Sequence, residues 1–234
     1  MKKPISAIMM LAAVSLTGCA TQTQSTASRI EPSKPSFAYE KQINNKQGEV
    51  WDKLVKNMAK SFFVINNIDK ESRIINLSYS SNRPQDYVDC GRSIRTFTEG
   101  KQTESYEYGI TDNIVNYKVS PGASPDPKFS RVGLVSRTAS LDGRANVYVA
   151  PENGGTLISV NAKSVVKIVM NGEVVVKNMM GAIVASQPFP ASINDVTAVT
   201  KGGTDNTAAF GSKTETVTCY STGKLEKDIL ELAI

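Results

Sequence analysis

Ser221-Thr222-Gly223-Lys224 has the Ser-x-x-Lys spacing, which sets a lysine amine one helical turn from a serine hydroxyl. A serine nucleophile could use that amine as its base. The chain has no histidine, so Ser-His-Asp and Cys-His catalysis, histidine acid–base work and the commonest zinc ligand sets are excluded. Thr111-Asp112-Asn113, Thr204-Asp205-Asn206 and Lys201-Gly202-Gly203 look like loose partner motifs for such a serine. Their order is wrong, because the nucleophile should come first in a larger domain and Ser221 stands near the end. Ser221 or Thr222 as a helix cap explains the motif more simply. Gly223-Lys224 is no phosphate loop, lacking both the upstream glycine and the following Ser or Thr. Asp86 with Asp89, or Glu104 with Glu107, could form a carboxylate pair. Glycosidase-like dyads need burial and a gap of roughly 5–10 Å, whereas acids of this kind ordinarily face solvent. We therefore expect no enzyme, no cofactor and no metal site.

The chain start carries the sharpest chemistry. Lys2 and Lys3 precede a mostly apolar run, Ile5 to Leu16, which is shorter than the about 20 residues needed to span a bilayer. It has the length of a signal-peptide core. Leu16-Thr17-Gly18-Cys19 follows and resembles the lipobox of bacterial lipoproteins. The resemblance implies that residues 1–18 are removed and that Cys19 is diacylated, with the new N-terminus usually acylated too. An ordinary signal peptide with an incidental cysteine is the alternative. Two or more acyl chains hold firmly, so the expected link is to a membrane through the N-terminal lipid, without a spanning helix. Residue 20 is Ala. In the resembling family Asp there favours the inner membrane, so we expect the outer membrane, with the protein facing the periplasm. Removing Lys2 and Lys3 lowers the net charge by two from +5, and the remaining basic residues form only scattered pairs. Nucleic-acid recognition wants them clustered with aromatics, so no such partner is expected.

With Cys19 taken by lipid, Cys90 and Cys219 remain. The bacterial envelope permits disulfides, and the two are far apart in sequence, unlike a redox Cys-x-x-Cys pair. We expect one structural disulfide.

Residues 19–36, rich in Ser, Thr, Gln and Pro, are expected to be a lipidated flexible tether. Residues 37–234 are expected to form a single domain. Val50, Leu54, Met58 and Phe62, widened by Trp51 and Val55, predict a helix over about 47–61 with Trp51 in the core. A strand at 36–44 precedes it and a hairpin, 62–69 with 73–80, follows it. Residues 81–130 are less regular, with weak strand candidates at 106–110 and 114–119. The strongest β signal is 144–150 with 156–170, where Ile158, Val160, Ala162, Val166, Ile168 and Met170 share one parity. Asn171-Gly172 suits a type I′ turn into 173–178. Residues 186–212 read as turn-rich and polar, 213–220 as a last strand. Leu225, Ile229 and Leu232 mark a closing helix. Met179 to Val184 is an apolar stretch expected in the core, or, if exposed, a partner surface.

This order predicts an α+β fold, an antiparallel sheet packed by an N-proximal and a C-terminal helix in a helix-grip-like arrangement, with a disulfide. Together with the lipoprotein start, the helix opening "W..L", "FFVINNIDKESRIINLSY" and the closing helix are similar to the BamC lipoproteins of the bacterial outer-membrane β-barrel assembly machine. The resemblance implies a non-catalytic accessory or scaffold in envelope assembly or secretion, with envelope proteins as partners. The alternative is a module binding lipid or another apolar ligand, which predicts an apolar cavity between sheet and C-terminal helix.

Overall fold

A computed structural model of the chain describes residues 22–210 and 213–234. In chain order the elements are β1 (Thr23–Ile30), β2 (Glu40–Ile43), α1 (Gln47–Met58), β3 (Val64–Asp69), β4 (Ile74–Ser81), β5 (Val88–Asp89), β6 (Arg92–Glu99) and β7 (Gln102–Gly109). Then come β8 (Ile114–Val119), β9 (Phe129–Glu152), β10 (Gly155–Asn178), β11 (Ile183–Val199), β12 (Thr204–Phe210), β13 (Lys213–Ser221) and α2 (Lys224–Glu231).

Two strands organise the rest. β9 and β10 each run 24 residues and pair without a register break from Glu152↔Gly155 to Phe129↔Asn178. At about 3.3 Å per residue, that ribbon follows a path of about 80 Å. Its turn is Asn153-Gly154, both at positive φ (48° and 77°), as a type I′ hairpin requires. The free edges are shared out along the ribbon. β4 and β8 take successive parts of β9, and β2 and β11 take successive parts of β10.

The ribbon's base carries the main core. Val147, Val149, Ile158, Val160, Val166 and Ile168 point to one face and are buried there. α1 covers them with Val50, Trp51, Leu54 and Met58, and α2 with Leu225, Ile229 and Leu230. The predicted apolar parity and the core position of Trp51 are both observed. Asn57 Nδ2 donates to Leu232 O at 2.7 Å and joins the two helices. On the opposite, wet face a row of amides crosses four strands in register, Asn67, Asn76, Asn146 and Asn161. Gly143 is placed on the core face because a Cβ there would overlap the Tyr79 ring. The Tyr79 hydroxyl shares a hydrogen bond with Ser164 Oγ at 2.6 Å, and burial pushes its phenol up to about 12.

Several expectations change. The fold is mainly antiparallel β, and the α+β description fits it poorly, since the helices have only 12 and 8 residues. Strands fill the regions that looked irregular, because lateral pairing recruits polar segments that periodicity alone does not mark. Within the expected tether 19–36, Thr23–Ile30 is a strand paired along its whole length with β6. It gains order from backbone hydrogen bonds rather than burial, and its Ser and Thr residues suit an exposed strand. Residues 186–199 belong to β11 rather than to turns. Asn171-Gly172 is no turn: neither residue has positive φ, and Gly172 lies extended under the Phe189 ring. The strong alternation on both sides keeps that segment paired with β9.

Cys90 and Cys219 are joined in a disulfide, as expected, tying β13 to β5 just after β4. The bridge spans 129 residues. In the chain-entropy model a loop of that order contributes about 4–5 kcal/mol. Cys90→Ala with Cys219→Ala should therefore lower the urea midpoint markedly, and dithiothreitol should lower the wild-type midpoint likewise. Unchanged midpoints in both would show that the bridge adds little.

Candidate functional site

The Ser221–Lys224 motif is structural. Ser221 Oγ accepts from Gly223 N at 3.2 Å and donates to the Glu226 carboxylate, with oxygens at 3.0 and 3.1 Å. Thr200 Oγ1 donates to the same carboxylate at 2.8 Å and accepts from Ala162 N at 2.7 Å. Glu226 is 0% exposed, so these hydroxyls replace water around it. The network locks α2 to β10 and to the end of β13. The helix N-cap itself is Gly223, in the left-handed region, rather than Ser221 or Thr222. Lys224 points elsewhere, donating to Asp228 Oδ2 at 2.7 Å and lying over the Tyr87 ring. The bond to Asp228 holds its ammonium above the ordinary lysine value, whereas a lysine base requires a lowered one.

The carboxylate pairs are separated by partners of their own. Asp86 binds Arg83, and Asp89 accepts from Gly91 N. Glu107 binds Arg92. Glu104 accepts from Lys118 and Tyr106, which hold its carboxyl below the usual range. Among the described residues no cluster of three or more His, Cys, Asp or Glu could hold a metal ion. Cys19, the expected lipidation site, lies outside the described residues.

The apolar stretch Met179 to Val184, expected in the core, is instead exposed. Asn178 ends β10 and builds the turn beyond it. Its Oδ1 accepts from Met180 N and Ala182 N, both at 3.0 Å, while Gly181 takes positive φ (80°). This turn holds Met179, Met180, Ile183 and Val184 outward, with Met180 91% exposed. Beyond the base, β8 to β11 form an arm, and a second row crosses its outer face in register, Ile114, Thr138, Val169 and Ile193, three of them apolar. Ile114 and Ile193 are exposed. Along residues 183–193 the outer edge of β11 pairs with no strand among the described residues. Pro188 lacks an N–H there, which blunts open-ended strand addition. Nearer the base the edge is capped, since the Asn206 amide bonds both Thr197 N and Thr197 O. Side chains, more than backbone, are therefore what the arm's end offers to a partner.

The cleft beside α2 mixes apolar side chains, Phe37, Ala38 and Leu230, with charged ones. It encloses about 730 Å³, and Glu40, Lys41, Asp86, Lys227 and Glu231 are among the residues that line it. Among the described residues no helix is long and apolar enough to cross a membrane, a statement that does not bear on strands. Compared with protein-family models, with curated proteins and with solved structures, the chain matches none.

Ser221→Ala should strand part of a buried carboxylate's hydrogen bonding and cost about 1–3 kcal/mol in urea unfolding. Lys224→Ala, losing an exposed pair, should cost less than about 1 kcal/mol. The reverse ranking would mean that Lys224, not the hydroxyl network, holds α2.

Proposed function

We propose that the protein is a lipid-anchored, non-catalytic accessory of a bacterial envelope that docks partner proteins through the end of its β9–β10–β11 arm. The observation that carries this reading is the solvent-facing group Met179, Met180, Ile183 and Val184 at the arm's tip. Contiguous exposed apolar side chains are costly in water and typically mark interaction surfaces. Methionine's flexible, polarisable side chain adapts to varied partners. The lipobox-like Leu16-Thr17-Gly18-Cys19 supplies the anchor in this reading, and Ala20 favours the outer membrane. The resemblance to the assembly-machine lipoproteins suggests the partner class, components of outer-membrane assembly or secretion. In the same reading the base is a helix-grip variant, supported by α1 and α2 packing on one core cluster.

A photo-crosslinking residue at position 180 in intact cells should capture one defined envelope protein, and the same residue at Asn66 on the wet face should not. Met180→Asp with Ile183→Asp should leave the melting temperature unchanged and abolish co-purification of that protein. Cys19→Ser should leave the chain unacylated and release it from the membrane fraction. Lipid-only adducts at 180, or equal capture at both positions, would contradict the docking role.

A further inference from the structure

A second site lies away from the tip, where the inner face of the β1–β6–β7 sheet meets the core face of β8, β9 and β10. Register places Arg29, Ser93 and Tyr108 in one cross-strand row and Ala27, Arg95 and Tyr106 in the next. Arg137 of β9 faces them, in register with Met170. Arg29, Arg95 and Arg137 line a cleft of about 470 Å³ together with Tyr108, Tyr117 and Glu215.

The carboxylates around this cleft are unevenly shared. Arg29 has carboxylates of its own, Glu31 and, at 3.7 Å, Glu215, and it donates to Thr216 O. Arg95 and Arg137 have no carboxylate within ion-pair distance among the described residues. Arg137 is 2% exposed. Its Nη2 donates to Ile110 O, but its Nε has no partner, and Nη1 of Arg29 is likewise buried without a hydrogen bond. An isolated buried cation is expensive unless paired, and burial pulls the Arg137 guanidinium below its ordinary value.

Aromatic rings hold these cations in place without neutralising them. Tyr108 and Tyr117 stack at 5.6 Å, Arg95 lies 4.8 Å over Tyr117, and Arg137 lies 5.3 Å from the Tyr108 ring centre. Arg95 Nε donates to the Tyr108 hydroxyl at 2.7 Å. Stacking fixes the planes of the guanidinium forks while leaving donors free, which suits bidentate recognition of an oxyanion. Two guanidiniums without an ion pair, Arg137 being only partly offset by the more distant Asp112, suit a phosphomonoester, which carries about −1.5 to −2 at neutral pH.

We propose that this Arg29–Arg95–Arg137 cleft binds a phosphate group, presented either by a free phosphorylated solute or by a lipid headgroup. This site is independent of the arm's tip and of the docking reading.

The test uses the full chain in mild detergent at constant ionic strength. Inorganic phosphate should raise the melting temperature saturably relative to chloride. Arg95→Gln, a partly exposed position that should fold normally, should weaken the apparent affinity tenfold or more. Arg137→Lys keeps the charge but loses the fork, and should weaken it as well. Glycerol 3-phosphate and monomeric short-chain phosphatidic acid distinguish the sources. Equal binding of both supports a free phosphate group, and binding of the lipid alone supports a headgroup. No saturable response, relative to chloride, to inorganic phosphate, glycerol 3-phosphate or the phosphatidic acid, or an undiminished response in Arg95→Gln, would overturn the proposal.

Discussion

The in-register pairing of β9 with β10 is the constraint on which the rest of the structure depends. A strand of 24 residues cannot be covered on both edges by any one neighbour of ordinary length. The chain therefore tiles it: β4 and β8 along one edge, β2 and β11 along the other. Each tile brings its own loops and helices, and these decide which part of the ribbon becomes core and which becomes arm. At the base two helices bury one face. Toward the far end the buried parity changes. Val135 and Met170 are buried on the core face, whereas Val132 and Val175 are buried on the opposite face against Phe97. The β1–β6–β7 sheet thus wraps around the ribbon, and that wrapping creates the arginine cleft. The arm's tip follows from the same pairing, because β10 must run its full length before it can turn.

Much of the base was legible in the sequence. The α1 stripe, the β3–β4 hairpin, the alternation in 156–170, the last strand and helix and the Cys90–Cys219 bridge all rest on local periodicity or on the absence of alternatives. What was not legible depends on partners distant in sequence. Asn171-Gly172 has the composition of a turn, but composition cannot reveal that β9 waits opposite with 24 matching positions. The Asn153-Gly154 pair, which does turn, differs in its flanks only by the point where the two runs begin to face each other. Strand β1 has almost no apolar signal, since its order comes from β6, about 70 residues downstream.

The same distinction holds for the sites. Ser221-x-x-Lys224 was visible as a motif at a helix start, but the expected Ser221 or Thr222 cap gives way to Gly223, and Ser221 instead bonds Glu226. Glu226, the buried acceptor that explains Ser221, left no signal, because nothing in a surface-like Glu-Lys-Asp run announces burial. The arginine cleft was also invisible. Arg29, Arg95 and Arg137 lie on three strands of two sheets and come together only through register. The stretch Met179–Val184 was visible as apolar and pointed to the core, but the Asn178-centred turn holds those side chains outward, a placement that composition alone does not reveal.

The arm exists only if β10 continues through Asn171 and Gly172. Amide hydrogen exchange of the native protein, resolved residue by residue from Ile168 to Val176, tests this most directly. The account predicts slow exchange on both sides of Gly172, as for a strand held by neighbours on each edge. Fast exchange centred on Asn171 and Gly172, with separate protection on either side, would place a turn there and contradict the continuous arm that carries the tip.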